Sequence, residues 1–403
     1  MYMMQPMKVD WYQALSKYYT DWYRNYCSVK GEMCFEFVFK QQIYYVRSFP
    51  DISINWVPLN QSDGTVFMSD NFRTQKSTNL LAPLNDVQRS MVEVIYPDYS
   101  SVDVGEGIQW PDTYFAPYVD ATAWPPYMFA DLFPTIRVPY FNLGFIVSQS
   151  PTICGPTWGT YYSAEDGPLN DQIKAIRELG GDVTVSFGGA ANVPLNVTAP
   201  TVDILFKQYK LFADAYNLTR IDFDIEGIWI DIAYEAENIR NAQAIKMLQD
   251  DYASRGKSLD VWFTLPILPS GLTPDGLRIV QQLSDAGVTL GGVNAMAMDY
   301  GNNAAPDPEG RMGEYAIEAA TNLLAQLGSG YTFKNVGITP MLGVNDVEEE
   351  IFRQSDAMEV FEFGRDNDVG QLSMWSSNRD FMGGSGIPQT DYEFSLLFGP
   401  YNF

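Results

Sequence analysis

An α/β chain built on a (β/α)8 TIM barrel, with an additional small N-terminal α+β module, is what this sequence predicts. Three observations lead there. At 403 residues the chain is longer than one ordinary core needs, and a barrel takes roughly 250–300 of them. From about Thr113 onward, short apolar runs alternate with segments of helical period, the pattern of repeated βα units on a parallel sheet. Polar side chains in those runs gather at their C-terminal ends, where such barrels carry their loops and chemistry.

The elements follow in order. Eight strand-like runs are readable: Phe115–Thr122, Tyr140–Ser148, Asp182–Gly188, Arg220–Glu226, Leu259–Leu265, Gly292–Asp299, Asn335–Met341 and Gly370–Trp375. Helical periodicity marks Asn170–Leu179, Val202–Tyr216, Asn238–Ser254, Pro274–Ala286, Glu314–Leu327 and Glu349–Asp366 between them. The first part reads differently. Asp10–Cys27 spaces Trp11, Leu15, Tyr18, Trp22 and Tyr26 at helical intervals, and Cys34–Lys40 alternates Phe35, Phe37 and Phe39 like a strand. A Pro-, Gly-, Ser- and Asp-rich stretch at Tyr96–Pro111 has the composition of a linker. The expected division is therefore 1–110 for an accessory or docking module and 111–403 for the barrel.

Composition narrows the chemistry. With 25 Lys and Arg against 50 Asp and Glu, the formal charge of −25 repels nucleic acid and anionic lipid and suits a neutral partner. The sequence has no histidine, which removes Ser-His-Asp and Cys-His mechanisms, His-ligated zinc and a histidine general base. Hydrolysis would have to run on carboxylates. Cys27, Cys34 and Cys154 show no metal-ligand spacing; a Cys27–Cys34 disulfide is possible, and free thiols are the preferred reading. No membrane-length apolar run is present, and the first residues show no basic and apolar leader. The expected location is extracellular or on a secreted or viral particle.

The most informative segment is Arg220-Ile-Asp-Phe-Asp-Ile-Glu-Gly227. On a strand the side-chain period is two, so Asp222, Asp224 and Glu226 share one face while Ile221, Phe223 and Ile225 share the other. Three clustered carboxylates facing a barrel interior cannot all ionise, and at least one keeps its proton near neutral pH. A protonated acid beside ionised ones is what glycosidic-bond cleavage requires.

These residues resemble the family 18 glycoside hydrolases, the chitinases and their relatives, over about residues 113–380. The family's fourth-strand motif, D-G-x-D-x-D-x-E, is matched by Thr219-Arg-Ile-Asp-Phe-Asp-Ile-Glu226 at its last three acids; Thr219 and Arg220 replace the leading Asp and Gly. Ser186-Phe-Gly-Gly189 resembles the S-x-G-G motif of the third strand, pointing to Ser186 and Gly188. Asn294-Ala-Met-Ala-Met-Asp-Tyr300 resembles the sixth-strand segment, offering Met296, Met298, Asp299 and Tyr300. Trp375 stands where the family keeps the aromatic floor beneath the sugar, and Asp120 with Trp124 resembles the first-strand opening of a bacterial subgroup.

The resemblance implies Glu226 as general acid and no enzyme nucleophile, because the 2-acetamido oxygen of the substrate attacks the anomeric carbon. It implies that Asp224 turns from Asp222 toward Glu226 and accepts the acetamido N–H, with Tyr300 donating to the acetamido carbonyl, although which of Asp299 and Tyr300 takes which sub-role depends on the strand register. The expected function is retaining, endo-acting hydrolysis of β-1,4-linked N-acetylglucosamine polymers, chitin first, with no metal or organic cofactor. Alternatives are the same chemistry on peptidoglycan or N-glycan cores, or a barrel serving as a structural or adhesive part of a larger particle, docked through the N-terminal module.

Overall fold

The structure is a computed structural model; it describes residues 83–403 apart from 85, 166 and 168, together with the backbone of two strands near the N-terminus. Those two, Cys34–Phe39 and Gln42–Arg47, pair antiparallel from Cys34 with Arg47 to Phe39 with Gln42. The helix expected over Asp10–Cys27 lies outside the described residues. The chain divides into Met1–Ala82 and Pro83–Phe403. Residues 83–110, which the linker-like composition placed ahead of the barrel, run along it. Glu93–Val94 joins its sheet by pairing with Ile153–Trp158, and Arg89 forms an ion pair with the buried Glu237 at 2.5 Å.

The second unit is a closed barrel whose strands follow one another in sequence order. β1 is in two pieces, Tyr114–Phe115 and Tyr118–Asp120. Its break falls at Ala116-Pro117, where proline has no N–H for the ladder. The other strands are β2 (Tyr140–Ser150), β3 (Asp182–Gly188), β4 (Arg220–Asp224), β5 (Asp260–Leu268), β6 (Leu290–Met296), β7 (Val336–Thr339) and β8 (Gln371–Leu372). β2 to β8 pair parallel in order, β8 pairs with the first piece of β1, and the second piece pairs with β2. A helix follows each strand: α1 (Phe129–Ile136), α2 (Asn170–Glu178), α3 (Val202–Ala215), α4 (Glu235–Ser254), α5 (Pro274–Asp285), α6 (Met312–Leu327), α7 (Gln354–Asn367) and α8 (Glu393–Phe398).

Local chemistry sets several boundaries. Thr201 caps α3 by accepting the Ile204 N–H at 3.2 Å, and Thr273 precedes Pro274, whose missing N–H costs nothing in the first turn of α5. The helix expected from Glu349 begins at Gln354, because Ile351–Phe352 first pairs with Gly343–Val344.

Each barrel strand buries two different faces. Outward, Phe187, Phe223 and Phe263 form a row on β3, β4 and β5, with neighbouring centroids 5.6 and 5.2 Å apart. Tyr209 and Phe212 of α3 cover this row edge-on. Inward, β3 to β7 present Ser186, Asp222, Thr264, Asn294 and Thr339, all buried. The apolar layer between sheet and helices supplies the hydrophobic stabilisation. The polar interior must therefore satisfy its own hydrogen bonds or leave groups poised for chemistry.

Candidate active site

The row of acids rises along the inside of β4 to the C-terminal mouth. Asp222 and Asp224 are buried in the strand. Glu226 stands two residues beyond, its backbone still extended, so the alternation carries on past the last ladder bond. Asp222 accepts three hydrogen bonds, from the Ser186 hydroxyl at 2.5 Å, Tyr118 at 2.9 Å and Thr264 at 2.9 Å. Asn294 extends the network by donating to Thr264 at 3.0 Å and accepting from Thr339 at 2.9 Å. Asp224 differs: one of its oxygens, Oδ1, is buried without a partner. A buried carboxyl in that condition is one that can rotate or receive a ligand's N–H.

The protonation states are graded along the row. Burial pushes Asp222 up to about 6, although its three hydrogen bonds and Arg220 pull it down. Asp224 is held well above the carboxylate range by burial, then by Glu226 and Asp222. Burial raises Glu226 to about 7, opposed by the Ala190 backbone amide and reinforced by Asp299 and Asp346. Near neutrality the row thus holds protons between a firmly bonded lower acid and an upper acid at the mouth.

Around the mouth, the other expected residues separate into those brought to the row and those not. Ser186 and Gly188 are at it. Gly188 has φ of 114°, and a Cβ there would lie 2.1 Å from the Asp224 carbonyl oxygen. Gly188→Ala is expected to push β4 away from β3 and to cost at least about 2 kcal/mol of stability, together with activity. A thermal melt beside a rate measurement checks this; a variant matching the wild type in both would show that the backbone relaxes freely.

Trp375 is half-buried beyond β8, bridged to Met341, with its ring stacked on Phe145 at 5.6 Å and set edge-on to Tyr118 at 6.1 Å. Met296 ends β6 and Met298 follows, both half-buried. Asp299 is exposed and accepts the Val347 N–H at 2.9 Å, which anchors the loop carrying Asp346. Asp120 accepts the Thr122 amide and hydroxyl at 2.9 and 2.7 Å, and its own backbone N–H is held by Asn378 at 2.8 Å. It shapes the β1 loop.

Tyr300 is not brought to the acids. Its ring packs on Tyr315 of α6 at 6.3 Å, and its buried hydroxyl has no hydrogen-bond partner. Glu350 and Glu318 are the acids acting on it. Period-two counting from Asn294 puts Tyr300 on the inner face, but Asp299 has φ of 52°, a left-handed kink that ends the alternation one residue earlier.

Arg220, the residue in place of a motif glycine, fills the floor of the barrel. It is buried, pairs with Asp260 at 2.7 Å, and has its guanidinium 4.4, 4.6 and 5.1 Å from the rings of Tyr114, Trp262 and Trp110. Thr219 donates to the Ile108 carbonyl at 2.6 Å. Both departures thus belong to the N-terminal end, away from the mouth. Among the described residues, no set of three or more His, Cys, Asp or Glu is arranged to hold a metal ion, and no helix is long and apolar enough to cross a membrane. Cys154 is a buried free thiol, while Cys27 and the Cys34 side chain lie outside the description.

With this geometry in place, likeness to known proteins is decisive. The chain is 30% identical to the catalytic domain of a hyperthermophilic chitinase from Pyrococcus furiosus, at a TM-score of 0.62, covering 72% of this chain and 95% of that one. The chain belongs to family 18 of the glycoside hydrolases. Catalytic-site mutants of active domain 2 of a thermostable chitinase from Pyrococcus furiosus, complexed with chito-oligosaccharides, match at 29% identity and a TM-score of 0.63, over 74% of this chain and 97% of that one. A probable bifunctional chitinase/lysozyme of Escherichia coli strain K12 is 39% identical over 313 residues, and Endochitinase 11 of Metarhizium anisopliae 39% over 282. Those alignments take in 72% and 67% of this chain but span only 35% and 53% of the relatives. No protein-family model matches.

The family 18 motifs did not reveal every residue around the row. Tyr118 and Phe145 look like core aromatics in sequence. Thr264 and Asn294 did leave a signal, as polar residues inside otherwise apolar runs. Asp346 and Arg379, which bonds the Leu342 and Val344 carbonyls at 3.1 and 2.6 Å, lie in loops without a motif.

Proposed function

We propose that the protein hydrolyses β-1,4-linked N-acetylglucosamine polymers, chitin first, by endo cleavage with retention of configuration. The observation that carries this reading is the graded acid row, with Asp224, one of whose oxygens is buried without a partner, between well-bonded Asp222 and half-buried Glu226. Glu226 gives its proton to the glycosidic oxygen as the acetamido carbonyl oxygen forms the new bond to C1, releasing the leaving alcohol and an oxazolinium. Asp224 turns upward to accept the acetamido N–H, its proton passing to Asp222. Water then opens the oxazolinium, with Glu226 as base, and the two displacements retain configuration. Positioning replaces an enzyme nucleophile, and such positioning can supply several kcal/mol of the barrier. Trp375 on Phe145 is the aromatic floor for the sugar. We assign Tyr300 no contact with the acetamido group, because its ring faces α6.

Incubation with chitotetraose and chitohexaose, products followed by mass spectrometry, tests the reading beside Glu226→Gln. Cleavage by the wild type alone supports it; binding without cleavage would make the barrel a sugar-binding part. The name of the Escherichia coli relative, chitinase/lysozyme, favours one second substrate, peptidoglycan, which carries the same acetamido group. Release of muropeptides from purified sacculi would add it.

The pH profile follows from the row. Activity needs Glu226 protonated, so kcat/KM should fall about tenfold per unit above about 7. It needs an ionised lower acid, so it should also fall below about 6. A bell with its top between those values is expected; a flat profile from pH 5 to 8 would contradict it.

A further inference from the structure

Arg220 is the residue by which this chain departs furthest from its family's strand motif, and its place in the barrel gives it a role beyond filling space. On β4 the period of two sets Arg220 on the same inward face as Asp222 and Asp224, each buried to within a few per cent of complete. It therefore occupies the layer directly beneath the lower acid. Its Nη2 meets Asp260 at 2.7 Å, but Nε and Nη1 are buried and lack hydrogen-bond partners. The rest of the guanidinium lies against the rings of Tyr114, Trp262 and Trp110. Asp260 is more than a third exposed, so water weakens its hold on that charge while the dry interior above does not.

We infer that Arg220 is a positioning residue for the acid row: a buried cation on the barrel floor that keeps Asp222 ionised and so leaves the proton of the pair on Asp224. The groups facing Asp222 support this. Ser186 from β3, Tyr118 from β1 and Thr264 from β5 are neutral donors, Asp224 is the acid above it, and Arg220 is the cation below it on its own strand. The groups facing Arg220 are Tyr114 from β1, Asp260 and Trp262 from β5, and Trp110 ahead of β1. The three hydroxyl donors favour the Asp222 anion through hydrogen bonds, and the fixed charge beneath it adds to them in setting which of the two acids releases its proton first.

The inference rests on the proposed hydrolysis for its meaning, so its test reads the acids directly. Carboxyl-13C titration of Asp-labelled full-length protein, with Asp222→Asn to assign the signal, would be run on the wild type, Arg220→Lys and Arg220→Met. In Arg220→Met the Asp222 midpoint should rise by about 0.5–1 unit, and in Arg220→Lys it should stay near the wild-type value. Arg220→Gln replaces Arg220→Met if that variant fails to fold. Where the wild type cleaves chitohexaose, the acidic limb of kcat/KM should move with the titration in each variant. An Asp222 midpoint unmoved in a folded Arg220→Met or Arg220→Gln would overturn the inference and leave Arg220 a packing residue, whatever the activity. A wild type that does not cleave, with the midpoint shifting as expected, would instead overturn the hydrolytic reading and leave the charge ordering standing.

Discussion

Glu226→Gln is expected to lower turnover of chitohexaose by 10²–10⁴-fold or more, on the usual scale of a lost general acid, while the oligosaccharide dissociation constant changes little. The amide matches the carboxyl in size and keeps a hydrogen bond, but it has no proton to give at any working pH. The leaving group of a natural glycosidic bond is a sugar alkoxide, which needs that proton. An aryl glycoside with an acidic phenol needs it less, so the same variant should retain more of its rate on such a substrate. Steady-state rates on both substrates, with calorimetric binding of chitohexaose, check the expectation. Undiminished chitohexaose cleavage would remove Glu226 from its role.

Asp224→Asn is expected to cost about 10²–10³-fold in kcat with a smaller change in KM. Asp224 is buried, one of its oxygens is unpartnered, and it is held protonated against its neighbours. Its work is to give up that proton, turn, and face the acetamido N–H with a negative charge as the oxazolinium develops. Asn can turn, but its amide brings no charge. Removing a carboxyl that burial disfavours should leave the melting temperature equal to or above that of the wild type. Thermal melts beside kcat therefore separate the two roles. A lower melting temperature with intact kcat would mark Asp224 as structural.

Much of this was legible in the chain because it depends on period and spacing. Asp222, Asp224 and Glu226 share a face on any strand, and Ile221 and Phe223 between them require apolar cover, which α3 supplies. Alternation of apolar runs with helical segments gave the eight strands in their observed order, with boundaries shifted by a few residues. Ser186 and Gly188 were readable because a small-residue motif at a strand end marks a close approach, and a Cβ at Gly188 would strike Asp224.

The sequence by itself, then, determined the barrel, the order of its strands and the shared face of its three acids, since those follow from local periodicity. Only the tertiary structure decided what surrounds them. Tyr300 leaves the site because one residue, Asp299, adopts a left-handed backbone that no alternation rule anticipates. Asp222 finds Tyr118, Ser186 and Thr264 from three other strands, and Arg220 finds its place among Trp110, Tyr114 and Trp262, residues far apart along the chain. Protonation follows from those long-range neighbours: desolvation and charge proximity are properties of a closed barrel, and an open strand of the same sequence would hold three ordinary carboxylates.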